Sequence, residues 1–237
     1  MQAPMILQML TLRGHTFMPC TLSAGSTVVD LGANAGEFSA LVRGRYQCRV
    51  VAVEANPHLL DRIRAVPGVE VVHAAVTDQS GEIELFLSDN IEASTVLGDA
   101  GGANTNGQRV RVPARTLEEV LADRGIGRVD LLKVDIEGAE VGVMLNTPDE
   151  VLRRIDQITM EFHDFCGLVT PAQLDSVLRR LEDLGFDGLR FGSDNMNWLF
   201  VRRGARGIGP FRRHYLKHVV RNARSLAHWG RGVLGRA

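Results

Sequence analysis

The sequence predicts an α/β fold in which a mostly parallel sheet carries helices on both faces. Short runs rich in Val, Leu, Ile and Ala alternate with helical patterns along most of the chain. Strands in such an alternation are joined by right-handed crossovers, which place them parallel in one sheet. The composition agrees, because 45% of the 237 residues are hydrophobic and only 5% are aromatic, a balance that suits α/β layers better than a sandwich with aromatic packing.

Three buried strands and two helices are predicted in the first third of the chain. Each strand is a short, mostly apolar run, as expected where helices cover both faces of a parallel sheet. Pro57 begins the second helix, because the fixed backbone angle of proline suits the first helical position. The predicted strands are residues 28–31, 49–53 and 69–75, and the predicted helices are residues 37–45 and 57–63.

The pattern then changes to an insertion. Residues 83–87 and 109–112 alternate apolar and polar side chains, which predicts an antiparallel β-ribbon. Residues 88–108 between them are rich in Gly, Asn, Asp and Ser and offer little that could pack. We therefore expect a long loop there, of the kind that often acts as a lid.

The second half of the chain resumes the alternation. Thr116 begins a helix, with Glu119 in the position of a capping box. Thr170 and Pro171 begin another helix, which Gly185 ends. We expect the last two strands to form a hairpin at the edge of the sheet. The predicted strands are residues 129–134, 157–162, 186–191 and 197–201, and the helices are residues 116–121, 139–145 and 170–181.

Charge is distributed unevenly, although the formal net charge of the chain is −1. Residues 202–237 contain ten Lys and Arg and no Asp or Glu, which leaves 17 basic and 28 acidic residues in the rest. Apolar residues recur every three or four positions from Phe211, with basic residues between them, which predicts a basic amphipathic helix. We expect it to pack on the acidic body or on a second subunit of a homo-oligomer, with peripheral membrane contact as the alternative. Its few aromatics disfavour a nucleic-acid partner.

The cysteines and the N-terminus indicate the compartment. Cys20, Cys48 and Cys166 show neither pairing nor ligand spacing, so we expect reduced thiols in a cytoplasmic protein. The first residues lack the basic leader and cleavage site of a signal peptide. No stretch reaches the roughly twenty apolar residues of a membrane-spanning helix, so the expected protein is soluble or peripheral.

Acidic residues at the ends of the predicted strands indicate the kind of ligand. Ligands of a parallel α/β sheet lie beyond the carboxyl ends of its strands. Asp30 ends the first strand, where a carboxylate would repel a pyrophosphate and favour a cationic ligand such as S-adenosylmethionine. Gly32 and Gly36 allow a tight turn and close approach to the cofactor. Glu54 is placed to accept both ribose hydroxyls.

A nicotinamide-dependent oxidoreductase is the alternative of another enzyme class. Its usual fingerprint is Gly-x-Gly-x-x-Gly, whereas this chain has Gly32 and Gly36 separated by three residues. A third reading is a binding protein whose basic tail holds a membrane or RNA. Cofactor titration separates the two enzyme classes.

Four motifs resemble the FkbM family of S-adenosylmethionine-dependent methyltransferases. The resemblance covers residues 25–201, flanked by an N-terminal segment of residues 1–24 and the basic helix of residues 202–237. It implies a class I methyltransferase (Rossmann-like) sheet of seven strands with the last antiparallel. It also implies O-methylation of a hydroxyl on a sugar, glycan or glycolipid, or polyketide-type specialised metabolite. The motifs are Asp30-Leu-Gly-Ala-Asn-Ala-Gly-Glu-Phe-Ser, Val53-Glu-Ala-Asn-Pro, Leu132-Lys-Val-Asp-Ile-Glu-Gly-Ala-Glu and Met160-Glu-Phe-His.

The resemblance also assigns residues to the cofactor. The turn after the first strand is implied to bind its methionyl part, and the end of the second strand is implied to bind its ribose. The segment after the third strand is implied to lie near its adenine. The implied cofactor-binding residues are Asp30, Gly32, Asn34, Gly36, Glu54, Ala75, Val76 and Asp135.

The predicted catalytic residues follow from the period-two alternation of side chains along strands. If the fourth and fifth strands are neighbours, Asp135, Glu161 and His163 converge beside the methyl group. We expect His163 to be the general base, with a flanking carboxylate stabilising its imidazolium form. The competing interpretation is a structural histidine. Lys133, if buried, is expected to pair with a carboxylate.

A metal-assisted reaction is a further alternative. Asp135, Glu161 and His163 together could hold Mg²⁺, which would lower the pKa of the acceptor hydroxyl. Two carboxylates and one histidine fall short of a magnesium signature, because that ion prefers an oxygen-rich set of ligands. Catalysis without a metal is therefore the prediction.

Overall fold

The computed structural model describes residues 9–88, 105–162, 169–191 and 197–209. Most of the long loop expected at residues 88–108, the residue His163 and the expected basic C-terminal helix lie outside these ranges. Within them, no helix has the length and hydropathy needed to cross a membrane.

Twelve strands and six helices are formed by the described residues, with a short 3-10 helix after the second strand. The strands are β1 (Leu10–Leu12), β2 (His15–Phe17), β3 (Thr27–Leu31), β4 (Arg49–Glu54), β5 (Val69–His73), β6 (Ala75–Val76), β7 (Gly81–Ser88), β8 (Thr105–Arg115), β9 (Leu131–Val134), β10 (Gln157–Glu161), β11 (Phe186–Phe191) and β12 (Asn197–Arg202). The helices are α1 (Glu37–Tyr46), α2 (Leu60–Arg64), α3 (Leu117–Asp123), α4 (Glu140–Asn146), α5 (Asp149–Leu152) and α6 (Pro171–Asp183).

The central sheet has seven strands in the order β11-β12-β10-β9-β3-β4-β5. The strands β10, β9, β3, β4 and β5 are parallel, and β12 runs antiparallel to both of its neighbours. This arrangement confirms the predicted α/β fold with an antiparallel last strand. Because β3 lies between β4 and β9, the ends of these three strands meet in the middle of the sheet.

Helices cover both faces of this sheet, because alternate residues of β3 belong to different apolar clusters. Val28 packs in a cluster with Phe38 and Val42 of α1. Its neighbour Val29 packs on the opposite face, in the larger cluster that contains buried residues of α3, α4 and α6. The two layers bury the full length of the strand, as the apolar run in the sequence predicts.

Two predicted elements have different bounds in the structure. The strand expected over residues 69–75 is interrupted at Ala74, whose amide donates to Glu54 O at 3.1 Å; β5 ends before it, and β6 leaves the sheet to pair with β8. The expected ribbon is β7 and β8, which are longer than predicted and form a three-stranded sheet with β6. Helix α2 begins at Leu60 rather than Pro57, because Asn56 Oδ1 accepts a hydrogen bond from His58 N (3.0 Å) and closes a turn there.

An N-terminal hairpin and the short helix α5 were not predicted from the sequence. Strands β1 and β2 pair antiparallel around Arg13 and Gly14, which both have positive φ (48° and 84°), as a two-residue hairpin turn requires. Strand β2 lies against β10 and β12. Just after it, Met18 N donates to Gln157 Oε1 at 2.8 Å. The hairpin therefore packs on the sheet as part of the same body.

Candidate active site

A pocket opens at the carboxyl ends of β3, β4 and β9. Its void space is about 610 Å³, a volume that includes space open to solvent. One side is apolar, with Leu59, Ala74 and Leu85, and the other carries carboxylates. Six residues predicted to bind the cofactor lie together in its wall: Gly32, Asn34, Glu54, Ala75, Val76 and Asp135.

Gly32 allows the turns after β3 and β9 to touch. Its φ is 73°, and a Cβ atom there would lie 1.7 Å from the carbonyl oxygen of Asp135. Any other residue would push the two strand ends apart. Gly36 has a different role, because it lies outside the pocket wall and a Cβ there would meet the backbone of Ile63 at 3.3 Å. It lets α1 begin close to α2.

The amides of the glycine turn are bound within the protein. The amides of Gly32 and Ala33 both donate to Val53 O at 3.0 Å, and Gly36 N donates to Ala33 O at 2.8 Å. Asn34, with a left-handed φ of 52°, donates its amide to Glu54 Oε2 at 2.7 Å. These bonds attach the turn to β4, so a carboxylate ligand would find its amides in the first turn of α1 rather than here.

Glu54 is held on both of its oxygens at the end of β4. Asn34 N donates to Oε2 and Asn56 N to Oε1, each at 2.7 Å. The side chain is mostly buried, and burial raises the pKa of its carboxyl above the ordinary range, although these two amide bonds and the charge of Lys133 oppose the shift. The result is a fixed carboxylate in the pocket wall, with acceptor lone pairs left for ligand hydroxyls.

Asp30 lies behind the pocket wall instead of in it. The sequence predicts that it meets the cationic cofactor, but its side chain is fully buried. Ser39 Oγ donates to Oδ2 at 2.7 Å, and Lys133 Nζ lies 3.1 Å from Oδ1. The physical reason is that the buried ammonium of Lys133 needs a carboxylate partner. Asp30 therefore affects the pocket indirectly, because it pairs with Lys133, which also lies 3.5 Å from Asp135 in the pocket wall.

Lys133 connects the ends of β3 and β9. Its Nζ donates to Gly32 O at 2.8 Å and lies 3.1 Å from Asp30 and 3.5 Å from Asp135. Burial alone would lower the pKa of this ammonium, but the two carboxylates outweigh burial and raise it. The lysine is thus a permanent positive charge. The pairing expected from the sequence is present.

Among the described residues, His15 lies beside the predicted carboxylates. His15 Nε2 lies 3.3 Å from Asp135 Oδ2, and one ligand atom from each of His15, Asp135 and Glu161 lies within 4.8 Å of the others. His163 is outside the described residues, so its role as the base stays a prediction. His15 could not be found from spacing, because 120 residues separate it from Asp135.

The same cluster bears on the metal alternative. His15, Asp135 and Glu161 could each offer a ligand atom to a cation. However, the ammonium of Lys133 already lies 3.5 Å from Asp135 Oδ2. A divalent cation on that oxygen would be repelled by this charge.

The pocket suits a ligand with three kinds of group. Its apolar side, formed by Leu59, Ala74 and Leu85, can pack against a flat ring. Glu54 can accept hydrogen bonds from a diol, and Asp135 offers a negative charge to a cationic centre. S-adenosylmethionine carries all three groups, as its adenine ring, its ribose diol and its sulfonium.

Comparison with known proteins agrees with this geometry. The AMB antimetabolite synthetase AmbE of Pseudomonas aeruginosa is 30% identical, over 77% of this chain but only 11% of its own length, so the chain spans about a tenth of that protein. Methyltransferase sdnD of Sordaria araneosa is 27% identical, over 78% of this chain and 81% of its own. The 31-O-demethyl-FK506 methyltransferase FkbM of Streptomyces tacrolimicus is 28% identical, over 62% and 68%.

The family model of the methyltransferase FkbM domain matches residues 30–187. That range contains the glycine turn, Glu54, the apolar wall and both carboxylates of the cluster. It excludes the N-terminal hairpin. On this match and on the strand order of the sheet, the chain belongs to the FkbM family of S-adenosylmethionine-dependent methyltransferases.

Proposed function

We propose that this methyltransferase acts on oxygen, at a hydroxyl of a sugar, a glycan or glycolipid, or a polyketide-type specialised metabolite. The observation that carries the proposal is the carboxylate of Asp135, which lies in the pocket wall with its side chain 25% exposed. A hydroxyl is a poor nucleophile and needs a group that takes its proton during methyl transfer. One relative is named for an O-demethyl substrate, which supports the same reaction.

The described residues offer a place for each part of the cofactor. When bound, S-adenosylmethionine supplies an activated methyl group on a sulfonium. Glu54 would accept the ribose hydroxyls, and Val76 and Leu85 would pack against the adenine. The first turn of α1 would bind the methionyl carboxylate through its amides.

In this proposal Asp135 is the proton acceptor. The acceptor hydroxyl donates to its carboxylate, and as the oxygen bonds to the methyl carbon in line with the leaving sulfur, the proton passes to Asp135 and then to solvent. Glu161, at the end of the neighbouring β10, adds negative charge on the acceptor side. His163 remains a predicted base, and no metal is required.

The test is product identification. The enzyme is incubated with a metabolite extract and S-adenosylmethionine carrying a ¹³C-methyl group, and labelled products are isolated by mass spectrometry. In the ¹³C NMR spectrum we expect the methyl carbon to show the chemical shift of an O-methyl ether. Asp135→Asn should lose most of the labelling even at cofactor concentrations that saturate the variant. A label found on nitrogen or carbon would contradict the proposal.

A further inference from the structure

The N-terminal hairpin brings a histidine to the methyl-transfer site from outside the family domain. The family match begins at residue 30, whereas His15 lies on β2. Its side chain is 1% exposed, and its Nε2 is 3.3 Å from Oδ2 of Asp135. The hairpin therefore adds a group that the domain alone lacks.

The imidazole of His15 is fixed by the packing of the hairpin. Its ring meets the ring of Phe38 edge-on, at 5.8 Å between centroids and 80° between planes. Phe17 contacts Phe38 in the same geometry at 6.1 Å. At the turn, Arg13 Nε is 2.7 Å from Glu37 Oε2. The contacts of Arg13, His15 and Phe17 with α1 hold the hairpin, and with it the buried ring of His15, against this helix.

Two donors converge on a single oxygen of Asp135. His15 Nε2 and Lys133 Nζ lie 3.3 Å and 3.5 Å from Oδ2. The backbone at this position is fixed as well, because the carbonyl of Asp135 packs against the Cα of Gly32 with no room for a Cβ. These contacts restrict the direction of the Asp135 side chain.

The protonation of His15 follows from its surroundings. Asp135 is an acceptor, so Nε2 carries the proton that it donates. Nδ1 is buried and has no hydrogen-bond partner within the described ranges. A second proton there would leave a charged donor buried without an acceptor, which costs more than an unpaired lone pair. The contact with Asp135 therefore requires the hydrogen on Nε2.

We propose that His15 is a positioning residue for methyl transfer, whose Nε2–H orients the Asp135 carboxylate toward the acceptor hydroxyl. The inference rests on the proposed function, since it assigns the proton of the hydroxyl to Asp135. That proton passes from the acceptor oxygen to Asp135 and then to solvent, and His15 keeps its Nε2 hydrogen throughout. Its effect is geometric, so it should change kcat and leave the binding of both substrates unchanged.

Two substitutions at His15 separate positioning from structure. His15→Phe keeps an aromatic ring against Phe38 and removes the donor, whereas His15→Gln keeps an N–H near the position of Nε2. Thr16→Val is the matched control, because it removes the hairpin's Thr11–Thr16 hydroxyl bond (2.8 Å) without touching Asp135. The acceptor is the one identified with labelled cofactor, and cofactor binding is measured by calorimetry.

We expect kcat to fall about 10- to 100-fold in His15→Phe, with KM for the acceptor and Kd for S-adenosylmethionine unchanged. His15→Gln should recover most of the rate, and Thr16→Val all of it. A wild-type rate in His15→Phe would overturn the proposal. So would equal losses in His15→Phe, His15→Gln and Thr16→Val, because they would assign the effect to hairpin stability.

A spectroscopic measurement on the wild type does not depend on the acceptor. In protein labelled with ¹⁵N-histidine, Nε2 of His15 should carry a hydrogen, and Asp135→Asn should shift its signal. An Nε2 without a hydrogen, or no shift, would overturn the inference even with activity intact. Failure of the proposed function would appear differently, as wild-type enzyme that makes no O-methyl product.

Discussion

Lys133 Nζ lies 3.1 Å from Asp30 Oδ1, and both side chains are buried in the middle of the sheet. The two residues face each other in register on β9 and β3. A buried ion pair gives little net stability, because desolvation offsets the attraction, but loss of one partner leaves an uncompensated charge. The pair therefore makes each residue intolerant of substitution by itself.

Lys133→Met should lower the free energy of unfolding by about 3–5 kcal/mol, because it leaves Asp30 buried without a counter-ion. The double variant with Asp30→Asn should recover part of that loss. Urea denaturation measures both. Arg64→Met is the control, since the Arg64–Asp61 pair is exposed and should cost less than about 1 kcal/mol. If Lys133→Met and Arg64→Met lowered the free energy of unfolding equally, the prediction would be contradicted.

Gly32→Ala should separate the two turns that meet at the pocket. We expect it to destabilise the protein by about 1–3 kcal/mol more than Gly125→Ala, and to abolish cofactor binding. The two glycines share a left-handed φ (73° and 60°), but a Cβ at Gly125 meets nothing within 4 Å. The difference between their unfolding free energies thus isolates the collision with Asp135, and a difference near zero would rule the collision out.

Ser39→Ala should cost about 1.5–3 kcal/mol, the usual range for a hydrogen bond to a charged group, because it removes the 2.7 Å bond to Asp30 Oδ2. Ser176→Ala is the comparison at an exposed hydrogen bond on α6, where the hydroxyl donates to Ala172 O at 2.9 Å. It should change stability by less than about 0.5 kcal/mol. Thermal unfolding of the two variants tests the ranking.

Glu54 should make cofactor binding depend on pH. The ribose hydroxyls donate to the charged carboxylate, and burial raises the pKa of Glu54 in the folded protein. Affinity should therefore fall as pH drops through this raised pKa, at a higher pH than for an ordinary glutamate. Calorimetric titration of S-adenosylmethionine at several pH values measures the effect.

Glu54→Gln is the matching variant, and Glu82→Gln, on the exposed ribbon, is its control. Glu54→Gln should weaken cofactor binding about 10- to 100-fold and remove its pH dependence. Glu82→Gln should change neither the affinity nor its pH dependence. The same raised pKa changes the stability of the free protein with pH in the opposite direction to cofactor affinity. A raised folded pKa stabilises the free protein below the ordinary carboxyl pKa, and that contribution is lost as pH rises through the raised value.

Methyl transfer should survive exhaustive treatment with EDTA, because Lys133 already supplies the positive charge beside Asp135 Oδ2. Labelled product formed with and without the chelator, followed by added Mg²⁺, measures this. Loss of activity that Mg²⁺ restores would instead favour a cation bound to Asp135 and Glu161.

Local signals in the sequence were sufficient for most of the fold. Apolar runs predicted the strands of the sheet, and the capping box predicted at Thr116 is formed by a side-chain and a backbone bond. Gly32 and Glu54 could be assigned to the turn and the strand end that line the pocket, because both features are readable from a short stretch of chain.

The remaining features depend on contacts between distant segments. Asp30 was expected at the ligand, but its cross-strand neighbour is Lys133, and only the register of β3 and β9 shows that the two charges neutralise each other. His15 belongs to a three-residue strand, too short for a periodic pattern. Its proximity to Asp135 is created by the packing of β2 on β10 and β12.

The docked hairpin also sets an order of events during synthesis. Met18 N can form its hydrogen bond only after Gln157, which follows it by 139 residues, has been synthesised. At typical translation rates the hairpin therefore stays undocked for roughly 7–28 seconds. During that interval Phe17 and Met18, both fully buried in the finished protein, are exposed on the nascent chain. The hairpin thus docks only after β10, on which it packs, has been synthesised.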